Sequence, residues 1–118
     1  MHSARQAKSM KNNPSPAAIF VVLTTVKNAP EAVSLIEVIL KNKLAACINR
    51  REVKSSYLWQ GKNEASNEVE IFIKTNSVNL RRLLETINNF HGYDIPEIIY
   101  WQVESTDKYS SWINEECN

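Results

Sequence analysis

An α+β fold on a four-stranded antiparallel sheet is predicted by three observations. Apolar segments of strand length recur at residues 18–25, 44–48, 68–74 and 97–103. Helix-period stretches beginning at Asn28 and at Ser77 separate the first strand from the second and the third from the fourth. A final helix-period segment covers residues 105–116. The order β-α-β-β-α-β plus a terminal helix is that of the ferredoxin-like split βαβ arrangement.

Residues 18–25 (AIFVVLTT) form an unbroken β-branched run, the pattern of a strand buried on both faces. Asn28 then supplies an N-cap, Pro30 is tolerated in the first turn, and Glu31 stands three residues after the cap. Val33, Ile36 and Leu40 continue at helical spacing, flanked by Ala32, Leu35 and Ile39. Residues 44–48 (LAACI) are the second apolar run, leading through a polar stretch to Tyr57, Leu58 and Trp59. The turn signal at residues 60–63 is followed by alternation, with Val69, Ile71 and Ile73 on one face and Glu68, Glu70, Phe72 and Lys74 on the other. The segments flanking Gly61 therefore make a long hairpin that projects as an arm. Residues 77–90 read as a helix with Leu80, Leu83, Leu84 and Ile87 on one stripe and Gly92 as its stop. In the fourth strand, both faces are largely apolar. The last helix turns Tyr109, Trp112 and Ile113 inward.

The chain has 118 residues, enough for one domain. Residues 1–17 read as a disordered N-terminal extension and residues 18–118 as the folded domain. The extension has no apolar stretch of signal-peptide type, which points to a cytoplasmic protein; Arg5, Lys8 and Lys11, with no acidic residue among them, leave an organelle-targeting alternative. With 14 basic and 13 acidic residues, the balanced charge gives no reason to expect nucleic acid or an anionic membrane as a partner. The longest apolar run, residues 17–23, is too short to span a bilayer. Only two glycines, Gly61 and Gly92, are present, so the clustered glycines of a phosphate or dinucleotide loop are absent, and no organic cofactor is expected. Two crossover helices cover one face of the sheet, and the other face is apolar with nothing left to cover it. Another subunit is expected to do so.

Five blocks in order carry a resemblance: residues 44–49 (LAACIN), 56–62 (SYLWQGK), 68–75 (EVEIFIKT), 91–98 (HGYDIPEI) and 109–113 (YSSWI). Together they are similar to the successive signatures of the CutA, or divalent-cation tolerance, family. The resemblance implies a ferredoxin-like homotrimer and association with divalent cations, copper, as Cu(I) or Cu(II), above all. It departs from the family at Gly92, where His-Pro-Tyr is common, and at Thr24, which roughly matches a cysteine of certain bacterial members.

Within that expectation the candidate metal ligands are Cys47 and His91. A thiolate is soft and suits Cu(I), and imidazole suits copper generally. The plainer readings are a core thiol for Cys47 and a helix-end histidine for His91. Lys74, Tyr93, Asp94, Glu97, Trp59 and Trp101 are candidates for a pocket between subunits, with Lys74 paired to Glu97 of a neighbouring copy. Tyr57, Trp59, Tyr100 and Trp101 read as subunit contacts. No nucleophile–base pair is visible and a non-enzymatic role is expected. The alternative function is a small-molecule-binding signalling trimer of the PII type, or an interaction scaffold.

Overall fold

The structure, a computed structural model, describes residues 17–117. In chain order the elements are β1 (Ile19–Val26), α1 (Ala29–Lys41), β2 (Cys47–Trp59), β3 (Lys62–Asn76), α2 (Leu80–Phe90), β4 (Ile98–Val103) and α3 (Asp107–Glu116). The strands form one sheet in the order β2-β3-β1-β4, with every neighbouring pair antiparallel. This is the predicted ferredoxin-like order. The reading of residues 1–16 as an extension lies outside the described residues. Ala17 belongs to the fold, because its carbonyl accepts from Asn114 Nδ2 at 3.1 Å.

Local chemistry sets the element ends. Asn28 caps α1 by accepting from the Glu31 N–H at 2.9 Å. The helix closes with Lys43 in the left-handed region at φ 55 and a bond from the Leu44 N–H to the Ile39 carbonyl, a Schellman-type end. Gln60 and Gly61, at φ 52 and φ 78, make the primed turn that suits the twist of a hairpin. β2 and β3 pair continuously from Cys47↔Lys74 to Trp59↔Lys62, whereas β1 pairs β3 only as far as Val69. The hairpin beyond Glu68 therefore projects as an arm, and the longest dimension reaches 54 Å.

α1 and α2 pack on one face of the sheet. Leu35, Ile39, Leu83 and Ile87 meet Val22, Val26, Ile71 and Ile73, all fully buried or nearly so. The inward stripe of α1 is Ala32, Leu35 and Ile39; Val33 and Leu40 are exposed, so the spacing that looked helical from Val33 marks the outer face. Three other expectations are corrected. α2 starts at Leu80, because Asn79 is its cap and Ser77 and Val78 are spent in the turn before it. It ends at an extended His91 (φ −70), and Gly92 adopts no left-handed conformation. β2 begins at Cys47, while Leu44 and Ala45 are buried in the connection ahead of it.

Gly92 needs no glycine. Its backbone is not left-handed and a Cβ there would meet nothing within 4 Å. Gly92→Ala should raise stability by about 0.4–1 kcal/mol through the unfolded chain's lost freedom. A urea melt checks this as an increase in the midpoint at unchanged slope.

A polar knot ties three elements together at one end of the sheet. Asn76 is buried, and its Oδ1 accepts from both the backbone N–H and Nδ2 of Asn79, each at 3.0 Å. Its Nδ2 donates to Asn114 Oδ1 of α3 at 2.8 Å, and Asn114 donates onward to Ala17 and Ser110 carbonyls. α3 is thereby seated over Ile19 and Val103, with Ile113 and Cys117 buried against them. The second face of the sheet is thus covered at one end by the chain's own last helix, which the expectation of an uncovered face did not include.

A candidate functional face

Residues paired across antiparallel strands point to the same side, so the register sorts the side chains opposite α1 and α2 into transverse rows. Arg51, Glu70 and Thr25 form one row, extended by Glu97, whose Oε1 accepts from Thr25 Oγ1 at 3.3 Å. Asn49, Phe72, Leu23 and Ile99 form the next. Cys47, Lys74, Val21 and Trp101 form the third. The row of Asn76, Ile19 and Val103 lies under α3.

The middle of this face is apolar and open. Ile99 is 48% exposed and Trp101 41%, and Trp101 meets Phe72 edge-on with centroids 6.0 Å apart. Toward β2 the face becomes polar. Arg51 Nε donates to Glu70 Oε1 at 2.8 Å. Lys74 Nζ donates to Asn49 Oδ1 and stands 5.1 Å from the Phe72 ring centroid. Trp59 is at the tip of the arm and Tyr100 points to the opposite side against Phe20, so the four expected contact aromatics do not cluster within one chain.

The two expected metal ligands lie apart. Cys47 is half-buried beside Lys74. His91 reaches the carbonyl of Thr25, whose partner on β3 is Glu70. Lys74 and Glu70 are four positions apart on β3, a separation of roughly 13 Å along the strand. His91 is also fully engaged. Tyr93 N–H donates to its Nδ1 at 3.3 Å, which leaves Nε2–H to donate to the Thr25 carbonyl at 2.7 Å. Among the described residues no group of three His, Cys, Asp or Glu side chains could hold a metal ion. Cys117 is no substitute, since burial pushes its thiol up to about 11. The donors among the described residues of a single chain therefore do not fit a copper chelate.

The loop from His91 to Glu97 folds over the end of β1. Tyr93 is set against Glu68, and burial first, then hydrogen bonding and charge from Glu68, raise its phenol far above the ordinary range. Asp94 is exposed and has no role in this network. Thr25 and Glu68 are the residues sequence reading missed. Thr25 ends an apolar run and Glu68 opens an alternating one, and neither position distinguishes itself until the register is known.

Beside this loop a cleft of about 580 Å³ separates the start of α1 from the arm, lined among others by Lys27, Asn28, Glu52, Lys54 and Glu68. On its α1 side it offers little to a phosphate, and Lys54 of the arm is its remaining cation. Lys27 pairs with Glu31 at 3.5 Å, Asn28 already caps the Glu31 N–H, and Pro30 has no N–H to offer.

Comparison with known proteins agrees with this architecture. The sequence model of the CutA1 divalent ion tolerance protein family matches residues 20–116. The chloroplastic CutA protein of Arabidopsis thaliana is 37% identical over 113 residues, covering 94% of this chain; the chain spans 60% of that relative's length. The divalent-cation tolerance protein CutA of Pyrococcus horikoshii is 35% identical over 99 residues, covering 83% of this chain and 97% of its own. Among solved structures, the periplasmic divalent cation tolerance protein CutA of Archaeoglobus fulgidus superposes with a TM-score of 0.81 at 28% identity, over 85% of this chain and 99% of that one. Fold, register and sequence together make this chain a member of the CutA1 divalent ion tolerance protein family.

Proposed function

We propose that this chain serves in divalent-cation tolerance as a self-assembled, non-enzymatic homotrimer, and that the open sheet face is where its copies meet. The observation that carries the reading is the apolar row of Phe72, Leu23 and Ile99 with Trp101 beside it, in which Ile99 and Trp101 are exposed and Phe72 and Leu23 half-buried in a single chain. Exposed apolar surface of this kind beside two open sheet edges is stabilised by burial against another copy. Cation association belongs to this assembled form. Cys47 is its accessible soft donor, and further donors come from other copies, because the described residues of one chain supply no chelate. His91 is a loop anchor in this reading. No nucleic acid, membrane or organic cofactor takes part. Among the described residues no helix is long and apolar enough to cross a membrane. The cytoplasm is the compartment we propose, although the Arabidopsis relative is named chloroplastic and the Archaeoglobus protein periplasmic. The PII-type alternative is disfavoured at the start of α1, where Lys27 pairs with Glu31, the Asn28 oxygen is spent on the cap and Pro30 offers no N–H.

Native mass spectrometry during a copper titration tests the reading. The wild type should take up copper as an oligomer, and Cys47→Ser should reduce uptake. His91→Ala should keep its copper but lose about 1–3 kcal/mol of stability, because its two backbone bonds go. Copper uptake unchanged in Cys47→Ser would remove Cys47 from the reading, and copper lost in His91→Ala at unchanged stability would reverse the assignment of His91.

A further inference from the structure

Among the described residues, the face that a second copy would cover carries one cation without an anion. Lys74 is half-buried in the third row, and its neighbours in its own chain are the neutral amide of Asn49 and the ring of Phe72. Among the described residues no carboxylate lies within ion-pair distance of it, whereas Arg51, on the same face, is satisfied by Glu70. Covering this face removes water from the ammonium. An ammonium buried without a counter-charge is strongly unfavourable, and Asn49 and Phe72 supply only dipole and quadrupole. The covering copy must therefore bring a carboxylate.

The carboxylates differ in what they are free to do. Glu70 is held by Arg51, Glu31 by Lys27, and Glu68 faces the Tyr93 phenol. Glu37 and Glu85 are on the outward sides of α1 and α2, and Glu64 is near the tip of the arm. Glu97 is exposed, sits on the same sheet face as Lys74, and flanks the free edge strand β4. Among the described residues its side chain has one hydrogen-bond partner, the neutral Thr25 hydroxyl at 3.3 Å. Within a chain it cannot reach Lys74, since their rows are four β3 positions, roughly 13 Å, apart and they lie on opposite sides of β1.

We propose that Glu97 of a second copy completes the Lys74 site, giving a polar cluster of Cys47, Asn49 and Lys74 from one chain and Glu97 from the next. This rests on the self-assembly reading and adds the residue that sets how the copies are oriented. An apolar face alone tolerates sliding. A buried pair that forms in one orientation does not, because every other orientation strands both charges. The cluster also places a carboxylate oxygen near the Cys47 thiol, a mixed soft and hard donor set that one chain lacks.

The test is a charge swap read by sedimentation velocity across a dilution series, with circular dichroism confirming the fold of each variant. Lys74→Met and Glu97→Gln should each weaken assembly by about 100-fold or more. Lys74→Glu combined with Glu97→Lys should recover most of that loss, and Glu104→Gln, beyond the other end of β4, should change nothing. Single variants that assemble like the wild type would overturn the pairing, as would a swap no better than the single charge reversals or a Glu104→Gln as damaging as Glu97→Gln. A wild type that stays monomeric throughout would overturn the assembly reading itself, a result distinct from any of these.

Discussion

Ile99→Glu should leave the fold intact and abolish assembly. Ile99 is 48% exposed in the single chain, so a carboxylate there meets water and its effect on folding should stay within about 0.5 kcal/mol. In an assembled protein the same position lies in the wholly apolar part of the covered face, between Leu23 and solvent at the β4 edge. A carboxylate desolvated without a partner costs several kcal/mol per ion, and a threefold assembly meets that cost at every contact. The dissociation constant should rise by at least about 1000-fold. The measurement is paired: circular dichroism of the variant, which should keep the wild-type spectrum, and the sedimentation coefficient at micromolar concentration, which should fall to that of a monomer. The urea midpoint should fall only by the stabilisation that assembly supplies. Ile99→Val at the same site should retain assembly. A variant that loses the folded spectrum would instead mean that Ile99 is part of the chain's own core.

The second large effect is expected inside the chain. Asn76→Ala should destabilise the fold by about 1–3 kcal/mol, since it strands the buried Nδ2 of Asn79, leaves the Asn79 N–H only the Asn76 carbonyl, and removes the donor to Asn114 Oδ1. Two consequences separate this from a generic core defect. α2 loses the contact that orients its cap at Asn79, and α3 loses its bridge to β3. Amide exchange should accelerate in α2's first turn and across α3 before it does in α1, which caps itself through Asn28. Uniform acceleration would show that the amide knot holds no element in particular.

How far the sequence reveals this molecule depends on the range of the physics involved. Local signals served well. The run at β1, the alternation at β3, the cap at Asn28 and the turn at Gly61 each depend on neighbours a few residues away, and each element formed as expected. The α1 stripe was misread because the helix is apolar almost all round. Val33 and Leu40 satisfy the same period as Leu35 and Ile39, and only the position of the sheet decides which row is inside. The seat of α3 was legible in part. Its inward residues Tyr109, Trp112 and Ile113 follow from period and do pack there, but the tie of Asn114 to Asn76 and the burial of Cys117 carry no periodic signal. The functional face was half legible. That Phe72 and Lys74 share a side follows from alternation, but that Arg51, Glu70, Thr25 and Glu97 form one row requires the register across three strand pairings. His91 shows the limit most clearly. A lone histidine in the fold invites a metal, and only the geometry shows both ring nitrogens committed to backbone groups.

If copies of this chain meet on the open face, the wild-type protein diluted from high to low micromolar concentration keeps one native mass, that of three chains. Native mass spectrometry across that dilution is the direct measurement, and a single species of three chains that persists throughout is the expected result. A mass of one chain at every concentration would contradict assembly on this face, as would a solvent-exposed Trp101 emission in a variant with Trp59 and Trp112 replaced by Phe.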